Sequence, residues 1–316
     1  MGISLAGAEK DLIRHDCAAC GSVKSRPFRQ IEGWQLVCCA ACGAVYLNPS
    51  PTEAALRDLY NEAYFSGLQL QHDHTQDMVE KGIQMRMAPA RQLVGDVGSQ
   101  RRWLDVGCAS GYLIAAGKRL GCEVEGVEVS AWAVRFAVDV LGLSVFRGTL
   151  REYCRVSSGS RFELITAMAY LEHSPMPLED LRAMAGLMAP GGDLVVRVPN
   201  LDSFDRRWHG DQWRGWSLPH HLYHFTASSL TRLLERAGFT LYRLDIGFWN
   251  PVVHLREALR GDGLRADHVY EGRESIPEGK GRAPDTGESP SPLKAHLKML
   301  LGRIFSGRDM ILYAHK

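Results

Sequence analysis

The 316-residue sequence has no uninterrupted apolar run near the ~18 residues that a bilayer-spanning helix needs, so no such span is expected. It has no surplus of charge: 37 Lys and Arg face 36 Asp and Glu, a formal net of +1. A nucleic-acid binder carries a basic face that neutralises phosphates, so this balance argues against a nucleic-acid partner. Residues 1–10 lack the basic start and continuous apolar core of a secretory leader, which leads us to expect a cytoplasmic protein. The G-x-G-x-x-G turn of dinucleotide-binding proteins is missing. No internal repeat occurs beyond one doubled cysteine motif.

That motif is Cys17-Ala18-Ala19-Cys20-Gly21, which returns as Cys39-Ala40-Ala41-Cys42-Gly43. Two thiolates spaced C-x-x-C grip one ion from a tight turn, and the glycine that follows frees the backbone to make it. Eighteen residues separate the pairs, the spacing of a four-cysteine Zn²⁺ site. A structural Zn²⁺ held by Cys17, Cys20, Cys39 and Cys42 would stabilise a segment too small for a core of its own. Incidental thiols or a redox pair are the competing reading. Cys38 adjoins Cys39 and could take its place. Cys108, Cys122 and Cys154 read as small buried residues.

Residues 1–16 read as a flexible lead-in, 17–48 as the zinc-binding module and 49–98 as a helical connector. In the connector, Thr52 caps a helix from Glu53 to Tyr60, and a longer helix covers 75–95. From Trp103 strands alternate with helices. Strands are expected at 103–106, 124–128, 143–147, 162–168, 194–198, 241–246 and 309–315. Helices are expected at 111–120, after the Ser130 cap, at 178–188 and after the Thr226 cap. This alternation predicts an α/β fold with a mostly parallel sheet covered on both faces. It spans 99–248 and 306–316. Residues 249–305 read as an insertion, disordered over 271–292, with a basic amphipathic helix at 293–305. Such a helix either packs on the sheet or touches a membrane surface, and packing is preferred because one short helix binds lipid weakly.

The turn after the first of these strands is Asp105-Val106-Gly107-Cys108-Ala109-Ser110-Gly111, and Glu128 ends the next strand, 23 residues after Asp105. Glycines there bring the backbone close to a ligand. A carboxylate at 128 suits the two hydroxyls of a ribose. Asp105 would repel phosphates but suits a cationic, aminoacyl ligand.

This pattern resembles motif I and the acidic loop of class I S-adenosylmethionine-dependent methyltransferases. The resemblance implies a Rossmann-like seven-stranded sheet with helices on both faces. It also implies S-adenosylmethionine held by Asp105, Gly107, Cys108, Ala109, Ser110 and Gly111 at its methionine part and by Glu128 at its ribose. Gly148, Thr149 and Leu150 would lie by the adenine, and Ala169 and Tyr170 by the sulfonium. Another Rossmann-like enzyme is the alternative for the set. Leu171-Glu172-His173 is similar to the Glu-His of ubiquinone-type O-methyltransferases. Some of those hold a divalent ion with a further upstream acid, whose place is taken here by Ala169. Ordering the loop is the preferred reading of Glu172 and His173.

Between the fifth and sixth strands lies a long aromatic loop with Trp208, Trp213 and Trp216, then His220-His221-Leu222-Tyr223-His224-Phe225. It resembles the HLYHF stretch of bacterial zinc-ribbon methyltransferases associated with surface-glycan or natural-product pathways. His221 or His224, then His220, are the candidate bases for an acceptor hydroxyl, against a purely structural role. The tryptophans wall an acceptor ring or form a packed lid. The expected activity is methyl transfer to a small-molecule or glycan acceptor, on oxygen. An RNA methyltransferase gripping its substrate with the zinc module is the alternative, and a cofactor-binding scaffold without catalysis is another. The Asn/Asp-Pro-Pro-Tyr/Phe sequence of many base-nitrogen methylases is absent after the fourth strand, where the chain reads Ala169-Tyr170-Leu171-Glu172. Oligomeric state has no sequence signal.

Overall fold

A computed structural model describes residues 11–59, 76–94, 100–157, 159–248 and 306–316. The expected disordered stretch 271–292 and the amphipathic helix at 293–305 lie outside them.

In chain order the elements begin with β1 (Leu12–Ile13), β2 (Ser25–Ile31), β3 (Trp34–Cys39), β4 (Val45–Leu47) and β5 (Ser50–Pro51). Two helices follow, α1 (Glu53–Leu59) and α2 (Gln76–Val94). Next come β6 (Arg102–Val106), α3 (Tyr112–Arg119), β7 (Glu123–Glu128), α4 (Ala131–Arg135) and β8 (Ser144–Arg147). They are followed by α5 (Leu150–Val156), β9 (Phe162–Met168), α6 (Pro177–Leu187) and β10 (Met188–Pro199). The last are α7 (Phe204–His209), β11 (Tyr223–His224), α8 (Ala227–Arg236), β12 (Thr240–Phe248) and β13 (Ser306–His315).

The main sheet has the order β12-β13-β10-β9-β6-β7-β8. Strands β8, β7, β6, β9 and β10 run parallel, and β13 inserts antiparallel between β10 and β12. The seven-stranded α/β sheet read from the sequence is therefore present. The last strand lies inside the sheet, not at its edge. From β6 the chain winds through β7 and β8 to one side, and then returns to lay β9 and β10 on the other. Ligands of open α/β sheets bind outside the carboxyl ends of the strands at such a reversal. Here that place lies between the loops after β6 and β9.

Parallel strands covered on both faces must be apolar throughout. Trp103, Leu104, Leu164, Ile165, Leu194 and Val196 meet this condition and are buried. The polar exceptions are linked to one another. Trp103 Nε1–H donates to Thr166 Oγ1 at 2.8 Å, and the Thr166 hydroxyl donates to Asp105 Oδ1 at 2.6 Å. We expect Thr166→Val, which is nearly isosteric, to strand both partners. Each buried orphan costs ~1–3 kcal/mol, so denaturant unfolding should show a loss of about 2–4 kcal/mol.

Caps define the helices as anticipated. Ser130 accepts from Ala133 N–H, and Thr226 shares a reciprocal capping box with Ser229. The segment after Ser130 runs α4 into a π-helical turn, Phe136–Val140, before Gly142. Two helices escaped the sequence reading: α5 starts at a capping box between Thr149 and Glu152, and α7 starts at the Ser203 cap inside the stretch read as a long loop.

The cysteine pairs belong to a second sheet of order β11-β4-β3-β2. Its edge strand β11 is contributed by the aromatic loop of the α/β part. Tyr223 pairs with Tyr46 and His224 with Val45. The end of the lead-in is also tied down, because Leu12 and Ile13 pair with Pro51 and Ser50.

Candidate functional site

The turn after β6 is held in left-handed backbone at Gly107 (φ 74°), Ala109 (φ 47°) and Gly111 (φ 81°). A side chain at Gly107 would place its Cβ 2.7 Å from the Tyr170 ring. Glycine is required there by both conformation and space. Tyr170 is fixed in turn, because its hydroxyl donates to Asp180 Oδ2 of α6 at 2.9 Å.

Glu128 bridges the turn and the next loop. Its Oε2 accepts from Ala109 N–H at 3.0 Å and its Oε1 from Ser130 N–H at 2.8 Å. Gly148 N–H donates to the Glu128 carbonyl at 2.9 Å, which brings the loop after β8 to the same place. Thr149 and Leu150 open α5, with Leu150 buried and the Thr149 side chain engaged by Glu152. Ala169 adopts φ 56°, rare for a residue with a side chain, and its N–H donates to the Arg197 carbonyl at 2.8 Å. Residues 107–111, 128, 148–150 and 169–170 therefore all stand at the carboxyl ends of β6 to β9. Ser110 and Cys108 are buried within the turn.

Two carboxylates lie buried there. Burial pushes Asp105 up to about 7; the charge of Glu128 adds to this and the Thr166 hydrogen bond opposes it. Burial also raises Glu128, against the two backbone N–H groups that favour its charged form. No buried cation among the described residues pairs with either carboxylate, so the turn favours a ligand that carries positive charge.

The loop after β9 and the histidine loop lock together. Leu222 N–H and Tyr223 N–H both donate to the Glu172 carbonyl, at 2.7 and 3.0 Å. His173 Nδ1 lies 3.0 Å from the His220 carbonyl, and the His173 and His221 rings meet edge to face with centroids 4.6 Å apart. His221 Nδ1 lies 2.8 Å from the Gly215 carbonyl and His224 Nε2 3.2 Å from that of Trp216. Burial lowers His221 to about 4 and His224 to about 3, and lowers His220 as well. The imidazoles of 221 and 224 are therefore neutral at pH 7 and keep a lone pair. Glu172 is 1% exposed, neither of its oxygens has a hydrogen-bond partner among the described residues, and burial pushes its carboxyl up to about 8. Reading residues along the chain gave Glu172 only a loop-ordering role. Its burial and lack of partners arise from packing against a distant segment and have no local signal. Trp213 and Trp216 are buried edge to face, with Trp216 against His224, whereas Trp208 is exposed. The first two are packed inside the loop.

The four cysteine sulfurs lie within 4.8 Å of one another. Cys17 and Cys42 are 3.7 Å apart and Cys20 and Cys39 are 3.5 Å apart. A tetrahedron with Zn–S bonds of ~2.3 Å has edges of ~3.8 Å, so the donor set fits a zinc ion. Gly21 and Gly43 take the left-handed conformation at the end of each turn. Cys39 is part of the group and Cys38 stands outside it. A hydrogen bond from Cys17 pulls Cys42 down to about 5 and pushes Cys17 up. The group also touches the histidine loop, since Ala18 N–H donates to the Tyr223 hydroxyl at 2.9 Å. Arg232 and Arg236 of α8 donate to the carbonyls of Cys42 and Cys20.

Among curated proteins, the chain is 36% identical over 104 residues to the ubiquinone biosynthesis O-methyltransferase of Alkalilimnicola ehrlichii, covering 32% of this chain and 42% of that protein. It is 31% identical over 160 residues to the enzyme of that name from Xanthomonas axonopodis pv. citri, covering 48% and 67%. The chain thus spans less than half the length of the first relative. The crystal structure of a SAM-dependent methyltransferase from Archaeoglobus fulgidus superposes with a TM-score of 0.50 at 18% identity, over 74% of this chain and 94% of the other, a likeness of fold. A family model described as a methyltransferase domain matches residues 79–244, just over half of the chain. With that match resting on the same sheet and turn whose geometry is given above, the chain belongs to the methyltransferase-domain family.

Proposed function

We propose that this chain transfers the methyl group of S-adenosylmethionine to an oxygen of a small-molecule or glycan acceptor. The observation that carries the reading is the pair of buried carboxylates, Asp105 and Glu128, flanking a left-handed turn at the switch point of the sheet. A pyrophosphate would be repelled there, whereas a ligand with a sulfonium and an ammonium supplies the missing positive charge. Each Glu128 oxygen accepts one N–H and keeps a lone pair for a ribose hydroxyl. Thr149 and Leu150 border the adenine and Ala169 and Tyr170 the sulfonium in this reading.

Transfer forms the acceptor O–C bond as the S–C bond breaks, and the hydroxyl proton must leave. The protein's task is alignment and proton acceptance. The 220–224 loop, with His220, His221 and His224, supplies the acceptor of that proton. The four thiolates would hold a structural Zn²⁺ that fixes this loop through β4 and β11.

A cationic cofactor favours ionised Asp105. Below about pH 7 the carboxyl carries a proton that must be released on binding. Affinity for S-adenosylmethionine should therefore tighten as pH rises from 6 to 8, and Asp105→Asn should flatten that dependence in calorimetric titrations.

The reading is tested by supplying S-adenosylmethionine with a labelled methyl group to the enzyme and a fractionated bacterial extract. Label in a small-molecule or glycolipid fraction supports it. Label confined to RNA would overturn it in favour of nucleic-acid methylation.

A further inference from the structure

We infer that the zinc module and the segment after β10 together form a phosphate-binding subsite for the acceptor, made by Arg29 of β2 with Arg206 and Arg207 of α7. The inference deepens the methyltransferase reading and rests on it for the ligand being the acceptor.

Helix α7 stands where an acceptor would approach. It follows β10 at the carboxyl end of the parallel strands, the end that carries the cofactor turn. Leu201, ahead of the helix, donates its N–H to the Phe225 carbonyl at 2.9 Å. The Trp216 indole N–H donates to the carbonyl of Gly210, the residue after the helix, at 2.9 Å. The segment that carries the histidines thus holds both ends of α7. A further anchor is the buried Asp205, whose Oδ2 accepts from Arg308 Nε at 3.1 Å. Arg29 reaches the same place from the other sheet, where its Nε meets Asp211 Oδ1 at 2.5 Å.

Three observations point to an anion. First, Arg206 lacks a counter-charge. It is half-buried, and among the described residues its guanidinium makes one hydrogen bond, from Nε to the Leu201 carbonyl, and pairs with no carboxylate. A guanidinium has five N–H donors, so those of both Nη groups are left over. Second, like charges converge on it. Burial lowers Arg206 from its ordinary value; Asp202 opposes this, and the charges of Arg29 and Arg207 add to it. An arginine does not release its proton in a protein, so the repulsion remains until an anion relieves it. Third, Trp208 on the same short helix is 68% exposed, with its ring stacked on Phe204 at a centroid separation of 6.0 Å. It offers a flat apolar face close to the cations.

The chemistry selects phosphate. A carboxylate brings one charge to three guanidinium groups, whereas a phosphate monoester brings about two negative charges and three strong acceptor oxygens. Those oxygens take the forked N–H pairs that arginine presents. A sugar or other ring next to the phosphate would lie on Trp208. The zinc module then binds the acceptor through Arg29 as well as bracing the histidine loop.

The test uses the full zinc-loaded chain with two probes. Glucose 1-phosphate is titrated by calorimetry, with glucose as the control, and vesicles of phosphatidylcholine and phosphatidylglycerol in equal parts are tested by co-sedimentation. Glucose 1-phosphate is expected to bind at one site per chain, and glucose is not. Arg206→Ala and Arg29→Ala should each weaken binding at least tenfold, while zinc content and S-adenosylmethionine affinity stay at the wild-type level and show that each variant is folded. The Arg29–Asp211 pair is at the surface and contributes little stability, so the loss in Arg29→Ala reports the ligand. Arginine-dependent binding of the vesicles in place of the sugar phosphate would support the subsite and assign its phosphate to a lipid headgroup. Binding of neither probe, or full retention by the variants, would overturn it. Arginine-dependent binding by a protein that methylates nothing would support the subsite while counting against the function proposed above.

Discussion

Removing zinc from the four-cysteine site, by Cys17→Ser or by a strong chelator, should reduce methyl transfer at least tenfold while changing S-adenosylmethionine affinity less than about threefold. Structural zinc contributes ~10–16 kcal/mol of apparent binding free energy to small modules, more than such a module's own core can replace. Strands β2 to β4 would lose their order without it. The cofactor turn belongs to β6 and β7, in the other sheet, and would be spared. The histidine loop would not be. Its strand β11 pairs with β4 in the four-stranded sheet, and Tyr223 meets Ala18 inside the first cysteine turn. Hydrogen exchange checks this directly: the Leu47 amide, which donates to the Leu222 carbonyl across the seam between module and loop, should lose protection on zinc removal, while 103–106 and 124–128 keep theirs. A zinc-free protein with full transfer activity would show that the module has no part in placing the loop.

Glu128→Ala should weaken S-adenosylmethionine binding by about 100-fold or more. A hydrogen bond to a charged group contributes ~1.5–3 kcal/mol, and two ribose hydroxyls are proposed to donate to this carboxylate. Each 1.4 kcal/mol is tenfold in affinity. The substitution also frees the Ala109 and Ser130 N–H groups that the carboxylate now satisfies, so the turn after β6 loses its tether. Glu128→Gln keeps one acceptor oxygen and should fall between the two. Calorimetry with the cofactor and its demethylated product measures both. An unchanged dissociation constant in Glu128→Ala would remove Glu128 from the site.

Much of the α/β part could be read along the chain, because each of its signals is local. Alternating apolar runs marked β6 and β9, Ser130 and Thr226 marked helix starts, and the glycines at 107 and 111 marked the turn. The four-cysteine group was legible from spacing alone. What escaped is non-local or very short. Strand β11 is two residues long, too short for periodicity, and its partner β4 lies in the cysteine module. The placement of β13 inside the sheet depends on pairing with both β10 and β12, which no single segment encodes. Helix α5 was missed although Thr149 and Glu152 have the spacing of a capping box, since the stretch was read as a ligand loop. Tyr170 and Gly107 were both named as cofactor contacts, but their mutual packing appears only in three dimensions.

Titration of S-adenosylmethionine into the zinc-loaded protein tests the central claim most directly. The account predicts one site per chain, with a dissociation constant in the micromolar range typical of enzyme–substrate pairs, ~1 μM to 1 mM. It also predicts no measurable binding of a nicotinamide dinucleotide. Binding of the dinucleotide in place of S-adenosylmethionine would contradict the account, because the Asp105 and Glu128 turn would then be accepting phosphates it is built to repel.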